Sequence, residues 1–171
     1  MNSTSFLNLD NTVVIKSFGR YTLPSGWHEL KDLSKEQKRF YVKKRIATKG
    51  FFTNISVESG DNLYSVEEHG DFRQAILRQL SIQLRTFNKQ DKNQSVLTGS
   101  GFNSKKGKMV FKFVMEIDDS LVTQYYIVGE YRHCLVHVTN FLDPRIPDVD
   151  MVAQSIVDSF EWLAVTTKEK Q

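Results

Sequence analysis

The chain has 171 residues, is 40% hydrophobic and 25% charged, and carries a formal net charge of +3. That size and composition fit one ordinary soluble domain with a full core. The basic excess is far below the strong electropositive bias of nucleic-acid binders, so no specific nucleic-acid partner is expected.

Met1 to Asn11 is polar and rich in small residues and reads as a flexible leader. It lacks a basic n-region and an apolar h-region, so no signal peptide is expected, and the cytoplasm is the expected location unless a leader has been removed. No run approaches the roughly 18 apolar residues that span a bilayer. Thr12 to Phe18 is β-branched and apolar and predicts a strand, with Gly19-Arg20 as a tight corner after it. Tyr21 to Leu23 continues extended, Pro24-Ser25-Gly26 reads as a turn, and Trp27 folds back over the core edge. The charged stretch Lys31 to Lys38 predicts a short helical turn capped at Ser34.

Arg39 to Ile46 and Phe51 to Glu58 both alternate, and Gly50 between them makes a hairpin. Gly60-Asp61-Asn62 then opens a loop. Asp71 is placed to cap a helix over about Phe72 to Phe87, where Phe72, Ile76, Leu80, Leu84 and Phe87 form one stripe. Asn88 to Ser95 is a polar connector, Ser95 to Phe102 a weak strand, and Asn103 to Gly107 a basic hairpin tip. From Lys108 to Phe141 the chain alternates apolar and polar residues, with breaks at Asp118-Asp119-Ser120 and around Arg132. Period two over that length predicts an antiparallel meander. Pro144 and Pro147 bracket its exit, and Asp148 is placed to cap a last helix from Val149 to about Leu163. Residues 12–164 therefore form one domain, between a leader at 1–11 and a frayed tail at 165–171.

The meander is apolar on both faces, because Val110 and Val114 lie opposite the set of Phe111, Phe113, Met115 and Ile117. Two amphipathic helices can cover two faces. The expected class is α+β, a three-layer α/β/α sandwich around a mainly antiparallel sheet. The segment Leu23-Pro24-Ser25-Gly26-Trp27, a mid-chain helix, the meander and the closing Ser155-Ile156-Val157-Asp158-Ser159-Phe160 resemble the PsbP/Mog1/DcrB-like superfamily. The likeness covers roughly Val13 to Leu163. The resemblance implies the same sandwich and non-enzymatic work. It includes Eag-type secretion chaperones, and the expected absence of a leader fits its cytosolic adaptors better than its exported lipoproteins or thylakoid subunit; it transfers no binding residue.

Chemistry-bearing residues are few. His133 and His137 lie four apart on one strand, which separates them by about 13 Å, too far to share a metal. His28 and His69 sit in loops without ligand spacing. Cys134, the sole cysteine, excludes an intramolecular disulfide. It alternates away from His133 and reads as a buried, inert thiol rather than a nucleophile. Asp118-Asp119 reads as a hairpin turn, and Glu67-Glu68-His69-Gly70 as charge at a helix start. No metal, cofactor or catalytic set is assigned.

Lys43, Lys44, Arg45 and Lys49, and again Lys105, Lys106, Lys108 and Lys112, read first as edge protection and second as one electropositive rim. If part of the sheet stays uncovered, Tyr126, Val128 and His137 would line a groove for a partner's helix or strand, with Lys43, Arg45 and Lys106 at its rim. These six are the candidate partner-binding residues. The expected function is a non-catalytic protein-binding module, such as an adaptor, secretion chaperone or immunity-type inhibitor. A small-molecule or lipid carrier is the alternative, and an enzyme using His137 and Glu130 comes third. Homo-oligomerisation stays open.

Overall fold

The computed structural model describes residues 12–15, 18–43, 53–61, 97–103, 107–117, 119–129, 132–141 and 146–163, together with Arg78 and Ile82. The strands are β1 (Thr12–Ile15), β2 (Gly19–Thr22), β3 (Trp27–Glu29), β4 (Lys38–Lys43), β5 (Asn54–Asp61), β6 (Leu97–Asn103), β7 (Met109–Ile117), β8 (Ser120–Val128), β9 (Arg132–Phe141) and β10 (Glu161–Trp162). One helix, α1 (Val149–Ser159), is described in full. Of the helix expected over Phe72–Phe87, only Arg78 and Ile82 are described, both helical and exposed. The expectations for the leader, the tail, the Asn103–Gly107 tip beyond Asn103 and Gly107, Asp118 and Glu130 lie outside the described residues.

Seven strands form one antiparallel sheet in the order β3-β4-β5-β9-β8-β7-β6, and β1-β2-β10 form a second, smaller one. The β7–β8–β9 meander is the predicted one. Its register sets Val110 opposite Ile127, Ile127 opposite Cys134, Tyr125 opposite Val136 and Val136 opposite Val57. Because strand side chains alternate, this row and its neighbours face one side, where α1 lies. Val149, Ala153, Ile156 and Val157 recur at helical spacing and are the buried face of α1. Each of the larger ones contributes about 1.5–3 kcal/mol by leaving water. They join Tyr125, Ile127, Cys134 and Val136 in the main core. Phe113, Met115, Val122, Tyr126 and Leu135 form a second buried cluster on the opposite face. The described chain is thus a sheet-rich α+β fold; apart from Arg78 and Ile82, the helix expected over Phe72–Phe87 lies outside the described residues.

Several local expectations are corrected. Gly60 and Asp61 do not open a loop; they pair with His133 and Arg132 and lengthen β5. Ser34 caps no helix. Its hydroxyl donates to the Leu30 carbonyl at 3.0 Å and accepts from the Phe40 amide at 3.1 Å, tying a turn to β4. Asp148 makes no side-chain capping bond, although its carbonyl accepts the Val152 amide at 3.2 Å.

The last helix also stops earlier than its apolar stripe suggests. Phe160 is extended (φ −63°, ψ 133°), and Glu161-Trp162 become β10 against Arg20 and Gly19 of β2. Phe160 and Leu163 keep helical spacing in sequence, but different partners satisfy them: Phe160 packs on Phe18, and the Leu163 amide bonds the Phe18 carbonyl at 2.9 Å.

Gly19 is not a corner either. The turn comes before it, where the Phe18 amide bonds the Ile15 carbonyl at 3.0 Å, and Gly19 is inside β2. A Cβ on Gly19 would lie 2.6 Å from the Phe160 ring and 2.8 Å from the Glu161 carbonyl oxygen, so glycine is required by close approach. Tyr21 of β2 and Tyr41 of β4 add a second junction between the sheets, with hydroxyls hydrogen-bonded to each other and rings edge-on. Burial pushes both phenols up, Tyr41 to about 12. Gly19→Ala is expected to lower unfolding stability by roughly 1–3 kcal/mol, because Phe160 and β10 must shift together. Urea denaturation followed by far-ultraviolet circular dichroism measures it.

Candidate functional site

The structure divides the six candidate residues. Tyr126, Val128 and His137 do share one face, because Gln124 pairs with His137 and Tyr126 with Leu135. Tyr126, however, is only 7% exposed and belongs to the second cluster, with its ring edge-on to Phe113 at 5.8 Å. It supports the sheet rather than lining an open groove. Lys43 pairs with Trp27 and lies on the opposite face, exposed. Arg45 and Lys106 lie outside the described residues.

His137 is held by its neighbours. The Gln124 amide nitrogen meets Nδ1 at 3.1 Å, and Thr139 Oγ1 lies 3.3 Å from Nε2. With the amide donating to Nδ1, the neutral ring carries its proton on Nε2 and donates it to Thr139. His133 sits over Gly60, where a Cβ would come within 2.9 Å of the ring, and against the Tyr126 ring at 5.4 Å. Burial lowers both histidines, and the Glu58 carboxylate, paired with Lys38 at 3.3 Å, opposes that shift in part. Cys134, 0% exposed, points into the main core on the other face, and burial pushes its thiol well up. The Cys134 thiol and the His133 ring therefore cannot meet. Among the described residues no group of three or more His, Cys, Asp or Glu could hold a metal ion.

The α1 face carries a feature that the sequence reading missed. A cleft of about 450 Å³ opens beside the start of α1, lined by Lys112, Val114, Leu121, Thr123, Val138, Asn140, Pro147, Val149 and Asp150. Register explains the floor: Val114 pairs with Thr123 and Thr123 with Val138, so the three share a row. Asn140 fixes one wall. Its amide nitrogen donates to the Ile146 carbonyl at 3.1 Å, and its oxygen accepts from the Ile146 amide at 3.3 Å and from the Thr53 hydroxyl at 3.0 Å. These bonds seat the segment that delivers Pro147 and Val149.

Asp150 fixes the other wall. It accepts from the Tyr125 hydroxyl, from Gln154 at 3.1 Å and from Lys112 at 3.5 Å. Lys112 also lies over the Tyr125 ring at 5.2 Å. Burial, reinforced by the hydrogen bond to Asp150, raises the Tyr125 phenol above its usual range.

The cleft is thus an apolar floor with a closely paired cation and anion at its rim. Lys112, expected as edge protection or as part of a basic rim, is a wall of the cleft instead. Asn140 was the readable signal: it ends the otherwise apolar run Cys134, Val136, Val138 on one side of β9.

Comparison with known proteins adds the fold. Among solved structures the chain is similar to cyanobacterial PsbP (CyanoP) from Synechocystis sp. PCC 6803, at 11% identity and a TM-score of 0.52, over 86% of this chain and 87% of that one. The chain has a PsbP-like fold. A crystal structure from Bacteroides thetaiotaomicron VPI-5482 aligns at 9% identity and a TM-score of 0.44, over 90% of this chain and 47% of that one. No protein-family model and no curated protein matches the sequence. At this identity the likeness concerns architecture and assigns no residue a role.

The two histidines predict a pH dependence. Their folded affinity for protons is depressed, so the unfolded chain binds more protons and stability rises with pH. Their contribution is complete above the unfolded value of about 6.5 and is lost as pH falls through the lower folded values. Urea midpoints should drop as pH falls below about 6.5, and the H133Q/H137Q double variant should flatten that part of the curve.

Proposed function

We propose that this chain is a non-catalytic protein-binding module that seats an apolar side chain of its partner in the cleft beside α1. The cleft itself carries the reading. Interface energy concentrates where an apolar anchor fills a desolvated pocket, and a floor of Val114, Leu121 and Val138 flanked by hydrogen-bonded walls fits such an anchor. The polar groups around it are engaged in holding structure. Asn140 holds Ile146, and Asp150 holds Tyr125, Gln154 and Lys112. Adaptor, secretion chaperone and immunity-type inhibitor are three forms of this one activity, differing only in the partner. Val128 and His137, half-buried on the opposite face, are candidates for a secondary contact.

A small-molecule or lipid carrier is the second reading. It is favoured by the volume of the cleft, which falls within the roughly 300–1,000 Å³ of small-ligand sites. Native mass spectrometry of gently purified protein separates the two, since a carrier retains a ligand of defined mass.

Leu121 is half-buried at the cleft, and replacing it with arginine places a charge on the floor without emptying the core. L121R is expected to abolish capture of the protein partner from the native host while shifting the urea midpoint little. Equal capture by wild type and L121R contradicts the proposed site.

A further inference from the structure

The second face of the sheet carries a chain of hydrogen bonds that runs in one direction. The Tyr126 hydroxyl donates to the Gln124 amide oxygen at 3.4 Å, the Gln124 amide nitrogen meets His137 Nδ1 at 3.1 Å, and His137 Nε2 lies 3.3 Å from Thr139 Oγ1. Gln124 stands directly opposite His137 in the β8–β9 register and is only 8% exposed, so its amide is shielded from solvent. An amide nitrogen can only donate, so Nδ1 must be bare and the ring neutral for this bond to form. A second proton on the ring would set donor against donor at that contact. One movement resolves the conflict. The Gln124 amide turns about its last torsion, presents its oxygen to the Nδ1 proton and leaves its nitrogen toward Tyr126. The Tyr126 hydroxyl can follow, because burial pushes its phenol up to about 12, and a protonated hydroxyl accepts as well as donates. The bond to Thr139 serves both states.

Among the described residues the charged groups that act on His137 are Glu58 of β5, which favours a proton on the ring, and Lys38 of β4, which opposes it. These two are paired with each other at 3.3 Å. Asp61 of β5 acts with Glu58 on His133, which packs on the Tyr126 ring at 5.4 Å. Ser56, opposite His137 on β5, is uncharged. We propose that Gln124 and His137 form a proton-operated switch, in which a proton taken up at His137 Nδ1 turns the Gln124 amide over and reverses the hydrogen bonds between Tyr126 and His137. Burial holds the ring neutral, so the switch works in acid, below the ordinary histidine value of about 6.5. It acts on the side of the sheet that holds Phe113, Tyr126 and Leu135 and leaves the α1 face alone.

The test is an NMR titration of the full, nitrogen-15-labelled chain from about pH 7.5 downward, following the histidine ring nitrogens and the side-chain amide of Gln124. At the start His137 is expected to carry its proton on Nε2, and the Gln124 amide resonances are expected to move with the His137 midpoint. H133Q is expected to keep that coupling. Q124E places a carboxylate acceptor at Nδ1 and should raise proton affinity at His137 about ten-fold or more, moving its midpoint up by about one pH unit. A neutral His137 protonated on Nδ1 overturns the inference. So do Gln124 resonances that ignore the His137 midpoint or lose their response in H133Q, and a folded Q124E with an unmoved midpoint. Should Q124E not fold, the wild-type tautomer and titration decide alone.

Discussion

Two lysines, one just before β7 and one on it, hold α1 in place, and most of what is distinctive about this chain follows from where they hold it. Lys108, immediately before β7, and Lys112, on it, lie four residues apart and meet opposite ends of the helix. Lys112 reaches Asp150 in the first turn, while Lys108 donates to the carbonyl oxygens of Asp158, at 3.1 Å, and of Phe160. Four strand residues and eight helix residues both span about 12–13 Å, so the helix runs antiparallel to β7 in matched length while packing over β9, β2 and β8. A cation at the last carbonyls also suits the negative end of the helix. Held there, α1 seals Tyr125, Ile127, Val136 and Val138 and leaves half-buried Val114 and Leu121 at the cleft beyond its first residue.

The end of the helix is fixed just as firmly. Phe160 leaves helical geometry because its ring sits on Gly19, and Trp162 completes the turn-out by packing edge-on to Phe160 and under the Arg132 guanidinium. This links the segments nearest the two ends of the described chain through β2 and β10, with Tyr21 and Tyr41 tying the small sheet to the large one. Shifting α1 along its axis would break contacts at both ends together. The cleft is accordingly a consequence of the fold and not a loose fit, and a pre-formed cavity is what an anchor-type partner site needs, since little ordering is lost on binding.

Much of this architecture was legible in the residues. Alternation from Lys108 to Phe141, broken at Asp118-Asp119-Ser120 and around Arg132, marked the meander, and Val149, Ala153 and Ile156 marked the buried face of α1, because each depends only on local period. The likeness to PsbP, read from Leu23 to Trp27 and from Ser155 to Phe160, holds for the fold. What escaped depends on tertiary position. β10 is two residues long and has no period to read. Period two placed Lys108 and Lys112 on a face, but only helix carbonyls and Asp150 overhead make that face an inward one. Phe160 kept the helical rhythm while changing backbone state, because burial against Phe18 and Gly19 rewards the same residue type. Tyr126 read as a contact residue because tyrosine suits both interfaces and cores, and the second cluster takes it inside.

Amide hydrogen exchange in a K108M variant tests the central claim most directly. If Lys108 fixes the end of α1, amides in its last turns should exchange about ten-fold faster or more, while those of β8 and β9 keep their protection. Unchanged protection throughout α1 would show that the helix is seated without Lys108, and the account of how the cleft is left open would fail.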